Sequence, residues 1–108
     1  PGPPWILGAR GAPRLAPENT WSSLTAALEL GLDGVAYDVR ACASGELVLL
    51  ADERLDRTSD SEGRLATRNL VELAEVDAGG WFDARFEGER LALFEEALAL
   101  EGNQAGSW

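Results

Sequence analysis

A glycine-bounded loop between an apolar segment and a polar one constrains the fold more than any other feature of this chain. In order, its parts are Trp5-Ile6-Leu7, Gly8-Ala9-Arg10-Gly11-Ala12-Pro13 and Glu18-Asn19-Thr20. The pattern predicts a buried strand over residues 5–9, a loop over residues 10–19 and a helix whose capping groups the polar residues supply. Arg10 follows the strand directly. A guanidinium at the carboxyl end of a strand and near a helix N-terminus suits an anion such as phosphate.

One predicted helix and two predicted strands follow this loop. A helix is predicted to end at Gly31, because apolar residues recur at helical spacing at Trp21, Leu24, Ala27 and Leu28. Gly34–Val39 is predicted as a second strand. Ala43-Ser44-Gly45 predicts a tight turn into a third strand at Glu46–Leu50, which ends at Ala51-Asp52. Strands that alternate with helices predict an α/β fold with a parallel sheet.

Two segments carry side chains with both a structural and a ligand-binding interpretation. Residues 53–66 are polar and predict a surface loop, in which Arg57 either contacts an anion or forms an ion pair with Asp56 or Asp60. We expect the ion pair. Trp81-Phe82 follows two glycines and either contacts a ligand or anchors its loop by packing. We expect packing, because aromatic side chains beside glycine usually fill space.

Two further helices are predicted in the rest of the chain. Thr67 is the candidate N-cap of the first, whose apolar face is formed by Leu70, Leu73 and Ala74. The second covers residues 91–101, and Gly102 is its candidate stop.

Charge and composition restrict the function classes. Nineteen acidic and nine basic residues give a formal charge of −10, which argues against nucleic acid as a partner. The single cysteine, Cys42, excludes an internal disulfide. No apolar run approaches the roughly 18 residues of a membrane span, and the N-terminal residues lack the pattern of a signal peptide. We expect a soluble domain, and attachment to a membrane protein stays open.

A series of motifs runs along nearly the whole chain in a fixed order. They are Ala9-Arg10-Gly11, Glu18-Asn19-Thr20, Asp33-Gly34-Val35, Tyr37-Asp38-Val39, Ser44-Gly45-Glu46-Leu47-Val48, Ala51-Asp52-Glu53, Leu55-Asp56-Arg57-Thr58, Asp77-Ala78-Gly79-Gly80-Trp81-Phe82 and Leu93-Phe94-Glu95-Glu96-Ala97-Leu98. Their order and spacing resemble the glycerophosphodiester phosphodiesterase family, whose opening signature reads His-Arg-Gly and then Glu-Asn-Thr. One such motif could match by chance, but the whole series makes kinship the better explanation.

The resemblance implies a TIM (β/α)8 barrel, which is an α/β fold. A complete barrel typically needs roughly 250 residues. Residues 1–108 are therefore expected to form a partial barrel domain of about the first three strand–helix units. Because an unpaired sheet edge is a poor endpoint, we expect a partner or a further copy to cover it. The partner would be a second copy of this chain, which would make a homo-oligomer, or another protein subunit.

The resemblance also implies a binding site. It assigns contacts with substrate or phosphate to Arg10, Glu18 and Asn19. It also implies that Trp81 and Phe82 lie beside the barrel mouth, where the ligand that they could contact is the substrate in its groove. It implies Mg²⁺ or Ca²⁺ as the cofactor, with Asp38 as a ligand and Asp52 as a further candidate. Positions 36 and 38 point the same way along a strand, so a Glu-x-Asp pair there could grip one cation. Ala36 replaces that glutamate. We therefore assign no bound cation, and Asp38 is either a remaining ligand or a hydrogen-bonded structural acid.

The residues that the family uses for proton transfer are replaced as well. Both histidine positions hold alanine, at Ala9 and Ala51, and the chain contains no histidine. We therefore expect a degenerate, inactive pseudoenzyme that acts as a scaffold or subunit, or as a phosphate-binding remnant for a glycerophosphodiester or phospholipid head group. The alternative is a metal-dependent phosphoric diester hydrolase of lipid metabolism that releases glycerol 3-phosphate.

Overall fold

The computed structural model describes residues 7–32 and 34–105, so Trp5 and Ile6 of the predicted first strand lie outside the described residues. The elements are an α/β set of short strands and helices. In chain order they are β1 (Leu7–Ala9), α1 (Trp21–Glu29), β2 (Gly34–Ala36), β3 (Val39–Ala41), β4 (Leu47–Leu49), α2 (Leu70–Leu73) and α3 (Phe94–Ala105), with 3₁₀ turns at Leu65–Thr67 and Ala84–Phe86.

The first two strands pair in parallel, with Leu7 opposite Gly34 and Ala9 opposite Ala36. Helix α1 connects them, as the sequence predicts. The cap of α1 comes from Thr20, whose hydroxyl oxygen accepts the Ser23 backbone N–H at 3.3 Å. This strand–helix–strand unit places the ends of β1 and β2 side by side.

The predicted second strand, Gly34–Val39, is wrong as one element because it divides at Tyr37-Asp38 into β2 and β3. Strand β3 pairs antiparallel with β4, with Val39 opposite Leu49. The sequence predicts the turn at residues 43–45 but not the antiparallel pairing of the strands that this turn joins. A connection this short joins antiparallel strands, whereas a parallel crossover needs about a dozen residues or more. The described residues thus contain one strand–helix–strand unit followed by a hairpin, rather than three strand–helix units.

Two hydrophobic clusters form the core, one on each side of the β3–β4 hairpin. The first consists of Cys42, Val48, Leu50, Leu55, Leu65, Leu73 and Val76. The second consists of Leu24, Leu49, Ala92, Ala97 and Leu100. Consecutive residues of β4 enter different clusters because side chains alternate across a strand. Trp21, predicted on the buried face of α1, is instead 44% exposed at the first turn.

Helices α2 and α3 begin or end at other residues than the sequence predicts. Thr67 lies in a 3₁₀ turn, and Asn69 caps α2 because its side chain accepts the Glu72 N–H at 3.0 Å while the Glu72 carboxylate accepts the Asn69 N–H at 3.1 Å. Helix α3 starts at Phe94, three residues later than predicted, and continues through Gly102 to Ala105. Glycine lowers helix stability by about 1 kcal/mol but does not forbid helical dihedrals.

The loop after α2 is fixed by aromatic packing. The Trp81 indole N–H donates to the Ala78 carbonyl at 2.9 Å, and Trp81, Phe82 and Phe86 form two edge-to-face pairs with 5.7 Å between ring centroids. These contacts favour the interpretation of Trp81 and Phe82 as a loop anchor. Across residues 7–32 and 34–105, every helix is too short or too polar to cross a bilayer.

Candidate anion-binding site

The candidate site lies at the carboxyl ends of β1 and β2. Arg10 follows β1 directly, and Asp38 lies two residues after β2. The Arg10 backbone N–H donates to the Ala36 carbonyl, and the Arg10 carbonyl accepts the Asn19 N–H at 3.0 Å. Parallel pairing of β1 with β2 therefore brings together residues that are far apart in sequence.

The Arg10 side chain has unused hydrogen-bonding capacity. Its Nε donates to Asp38 Oδ2 at 3.0 Å, while its Nη1 is 3.6 Å from Glu18 Oε2, which is too long for a hydrogen bond. A guanidinium has five N–H groups, so four of them make no hydrogen bond to the described part of the chain. The side chain is 44% exposed, and an anion can therefore reach these N–H groups.

Asn19 orients Asp38 through both atoms of its side-chain amide. Its Nδ2 donates to Asp38 Oδ2 at 3.2 Å, and its Oδ1 accepts the Asp38 backbone N–H at 3.4 Å. Asn19 is only 3% exposed. In this structure Asn19 therefore supports the residue that contacts Arg10.

Arg57 joins two carboxylates from distant parts of the chain. Its Nη1 and Nη2 donate to the two oxygens of Glu18, both at 3.0 Å, and its Nε and Nη2 donate to those of Asp52 at 2.9 and 3.0 Å. The predicted pairing of Arg57 with Asp56 or Asp60 is wrong. Asp56 pairs with Arg54 instead, at 3.1 and 3.3 Å.

The ion pairs of Arg57 favour the charged forms of Asp52 and of Arg57 itself. The hydrogen bonds from Arg57 lower the pKa of Asp52 below its ordinary value of 3.8. Asp52, and after it Glu18, raise the pKa of Arg57. Sequence reasoning missed this cluster because Glu18 and Arg57 are 39 residues apart. The Arg57 motif appears among the family matches, but its spacing alone does not identify its partners.

Alanine occupies the positions where the family resemblance implies chemistry. Ala9 and Ala36 are exposed and lie opposite each other in the register of β1 and β2. The carbonyl of Ala51 accepts Arg40 Nε and Nη2 at 3.1 and 2.7 Å. A methyl group can neither transfer a proton nor bind a cation, so these three side chains supply neither function.

The residues present do not fit the Mg²⁺ or Ca²⁺ that the resemblance implies. Asp38, Glu18 and Asp52 each face an arginine. Such ion pairs compete with a cation for the carboxylate oxygens. Within residues 7–32 and 34–105, no group of three or more acidic, cysteine or histidine side chains could hold a metal ion.

Residues 10–106 match the glycerophosphoryl diester phosphodiesterase family. The chain belongs to that family. Among its relatives, the glycerophosphodiester phosphodiesterase of Caldanaerobacter subterraneus is 37% identical over 99 residues, which cover 92% of this chain and 41% of the relative. Membership was predicted from the motif order and is confirmed.

Solved structures of family members agree with the fold. The glycerophosphodiester phosphodiesterase from Agrobacterium tumefaciens matches with a TM-score of 0.90 at 40% identity, over 94% of this chain and 44% of its own. A phosphodiesterase from Oleispira antarctica, solved in complex with the product sn-glycerol-3-phosphate, matches with a TM-score of 0.89 at 33% identity, over 94% and 41%. The α/β fold is thus the TIM-barrel-like fold of the family, and the chain spans about two fifths of the length of these relatives.

Proposed function

We propose that this chain is a catalytically inactive member of the glycerophosphodiester phosphodiesterase family and that it retains an anion-binding arginine. The observation that carries the first half is the complete absence of histidine, with Ala9 and Ala51 at the family's two proton-transfer positions. Loss of acid–base catalysis typically costs 10²–10⁴-fold in rate. With Ala36 in place of a metal ligand, no group at the strand ends supplies the chemistry.

The anion site is supported by the geometry of Arg10. Its guanidinium is half exposed, held by Asp38 through one N–H, and otherwise without hydrogen bonds to the described residues. Arginine donates pairs of parallel hydrogen bonds to phosphate oxygens. The ligand class is a phosphate ester such as a glycerophosphodiester or a phospholipid head group. Glycerol 3-phosphate is a suitable probe, because a relative was solved with it.

A titration with glycerol 3-phosphate tests the anion site. We expect saturable heat by calorimetry, and a roughly tenfold or greater loss of affinity in Arg10→Ala because its charge-assisted hydrogen bonds disappear. Arg85→Ala is the matched control, since Arg85 is an exposed arginine whose contacts lie with Asp83 and Phe86. Equal affinity in wild type and Arg10→Ala would refute the site.

The alternative is a metal-dependent phosphoric diester hydrolase that uses Asp38, Asp52 and a bound cation. The same protein should be incubated with glycerophosphocholine and Mg²⁺ or Ca²⁺, with and without chelator. We expect no release of glycerol 3-phosphate above the blank. Hydrolysis that disappears with chelator and in Asp38→Ala would instead establish the alternative.

We also propose that residues 1–108 act as one domain that a second copy or another subunit completes. One observation supports this. One face of the β3–β4 hairpin is partly uncovered, with Val39 37% and Leu47 43% exposed. Apolar side chains at an uncovered sheet face favour burial against another chain.

A further inference from the structure

Glu18 stands between two arginines and is shared unequally. Both of its oxygens accept hydrogen bonds from Arg57 at 3.0 Å, whereas Arg10 Nη1 stays 3.6 Å from its nearer oxygen. The Glu18 side chain is only 10% exposed, so little water is available to solvate its charge. Two parallel hydrogen bonds bind a carboxylate more strongly than one long contact does. Glu18 is therefore paired with Arg57 rather than with Arg10.

Arg57 itself has almost no capacity left for a ligand. Its Nε, Nη1 and Nη2 make four hydrogen bonds to Glu18 and Asp52. That leaves one of the five N–H groups of a guanidinium. Arg10 presents the opposite case, with one N–H used. Of these two neighbouring cations, one is saturated by carboxylates and the other is open.

We propose that Arg57 is a positioning residue that holds the Glu18 carboxylate away from Arg10. The free N–H groups of the Arg10 guanidinium thereby stay available to bind an anion. This inference rests on the proposed anion-binding function. Without Arg57, Glu18 would be a poorly solvated carboxylate whose neighbouring cation is Arg10. Closing the 3.6 Å gap would consume an Arg10 N–H and neutralise the positive charge that attracts the anion.

The charges around this pair act in the same direction. Asp38 already neutralises part of Arg10 through the hydrogen bond at 3.0 Å, and Asp52 lies within electrostatic reach of both Arg10 and Arg40. Removing Arg57 would therefore leave two unpaired carboxylates, Glu18 and Asp52, near Arg10. Both would repel a phosphate, whereas only Glu18 lies close enough to pair with Arg10.

The test is a double-mutant cycle with glycerol 3-phosphate as the probe. We expect Arg57→Ala to lower affinity roughly tenfold. We expect Arg57→Ala/Glu18→Gln to recover part of that loss, because a neutral amide does not form an ion pair with Arg10, while Asp52 stays unpaired in both variants. A purely structural role for Arg57 predicts no rescue, since Glu18→Gln restores no contact. Unchanged affinity in Arg57→Ala, or an unrescued double variant, would overturn the proposal.

A second measurement separates this proposal from the proposed function. The NMR signals of the Arg10 guanidinium, recorded without ligand, should show slowed rotation of Nη1 in Arg57→Ala and return to the wild-type pattern in the double variant. If wild type binds no glycerol 3-phosphate but these signals change as expected, the anion site fails and the restraint on Glu18 stands. If the signals do not change, the restraint fails whatever the affinity.

Arg57→Lys serves if Arg57→Ala does not fold. A lysine keeps the charge but cannot make four hydrogen bonds to two carboxylates in a fixed plane. We expect a several-fold loss of affinity that Glu18→Gln again reverses. Full wild-type affinity in Arg57→Lys, with unchanged Arg10 signals, would show that the fork geometry is not what restrains Glu18.

Discussion

Two residues of the candidate site have left-handed backbone conformations, which residues other than glycine rarely adopt. They are Arg10, with φ 59°, and Asn19, with φ 58°. The Arg10 carbonyl accepts both the Asn19 N–H at 3.0 Å and the Ser23 hydroxyl at 2.9 Å. Strain of this kind persists only where surrounding contacts impose it, and it concentrates at functional sites. The site is therefore held in place before any ligand arrives.

At this scale, the sequence predicts a residue's location better than its partners. The sequence places Arg10 directly after the first predicted strand, and the structure has it there. Arg57 could not be placed, because its partners come from residues 18 and 52 while acidic residues much nearer in sequence lie at 56 and 60. Charge pairing depends on the tertiary path of the chain, which local spacing does not contain.

Asp77 gives a prediction for the pH dependence of stability. Its carboxylate accepts backbone N–H groups from Gly80 and Gly79 at 2.9 and 2.8 Å and from Gly88 at 2.8 Å, and these bonds lower its pKa below the ordinary 3.8. A lowered pKa in the folded state stabilises the fold above the unfolded pKa and loses that contribution as pH falls through the folded value. Stability should therefore decrease below about pH 4.

The measurement is the urea midpoint between pH 6 and pH 2.5 for wild type and Asp77→Asn. We expect the variant to be less stable near neutral pH and to change less with acid, because it has no carboxylate to protonate. Asp52 should contribute to the acid loss in both proteins, since Arg57 lowers its pKa as well. Parallel pH curves for the two proteins would contradict the role of Asp77.

At the scale of elements, Gly11 fixes how the site loop meets helix α1. Its φ is +89°, and a Cβ there would lie 2.5 Å from the carbonyl carbon of Ser23 and 2.7 Å from its oxygen. Ser23 is fully buried in α1. Gly11→Ala should therefore reduce the free energy of unfolding by about 2–4 kcal/mol, from backbone strain and overlap together.

Gly31→Ala is the matched control in the same urea experiment. Gly31 also has a positive φ, +80°, but a Cβ there would meet nothing within 4 Å. It should cost only the left-handed strain, about 1–2 kcal/mol. Equal losses in the two variants would mean that Ser23 moves aside readily and that the loop is not fixed by this contact.

Elements with both a boundary signal and a period were predictable. Helix α1 has Thr20 before it, Gly31 after it and apolar residues at helical spacing, and it forms as expected. The β3–β4 hairpin is not predicted although its turn is, because the alternation of strands and helices favours parallel pairing and the short connection at residues 43–45 was given less weight. For α3, Gly102 was a weak stop signal because a glycine can also continue a helix.

For the whole molecule, the central question is what covers the hairpin face that contains Leu47. Leu47 is 43% exposed and borders an apolar cavity of about 280 Å³ with Leu93 and Phe94. The same strand buries Val48 and Leu49 completely or nearly so. The core therefore continues toward this face and stops at solvent. In the relatives, more than half of the chain lies outside the matched region.

If a second copy covers this face, the isolated chain should self-associate. The net charge of −10 opposes association at low ionic strength, so native mass should be followed over a tenfold concentration range at physiological salt. We expect a concentration-dependent dimer in wild type and a monomer in Leu47→Asp, because a carboxylate would be buried at the contact. Val71→Asp, at a position 82% exposed on α2, should associate like wild type. A wild-type monomer throughout would exclude a second copy as what covers this face.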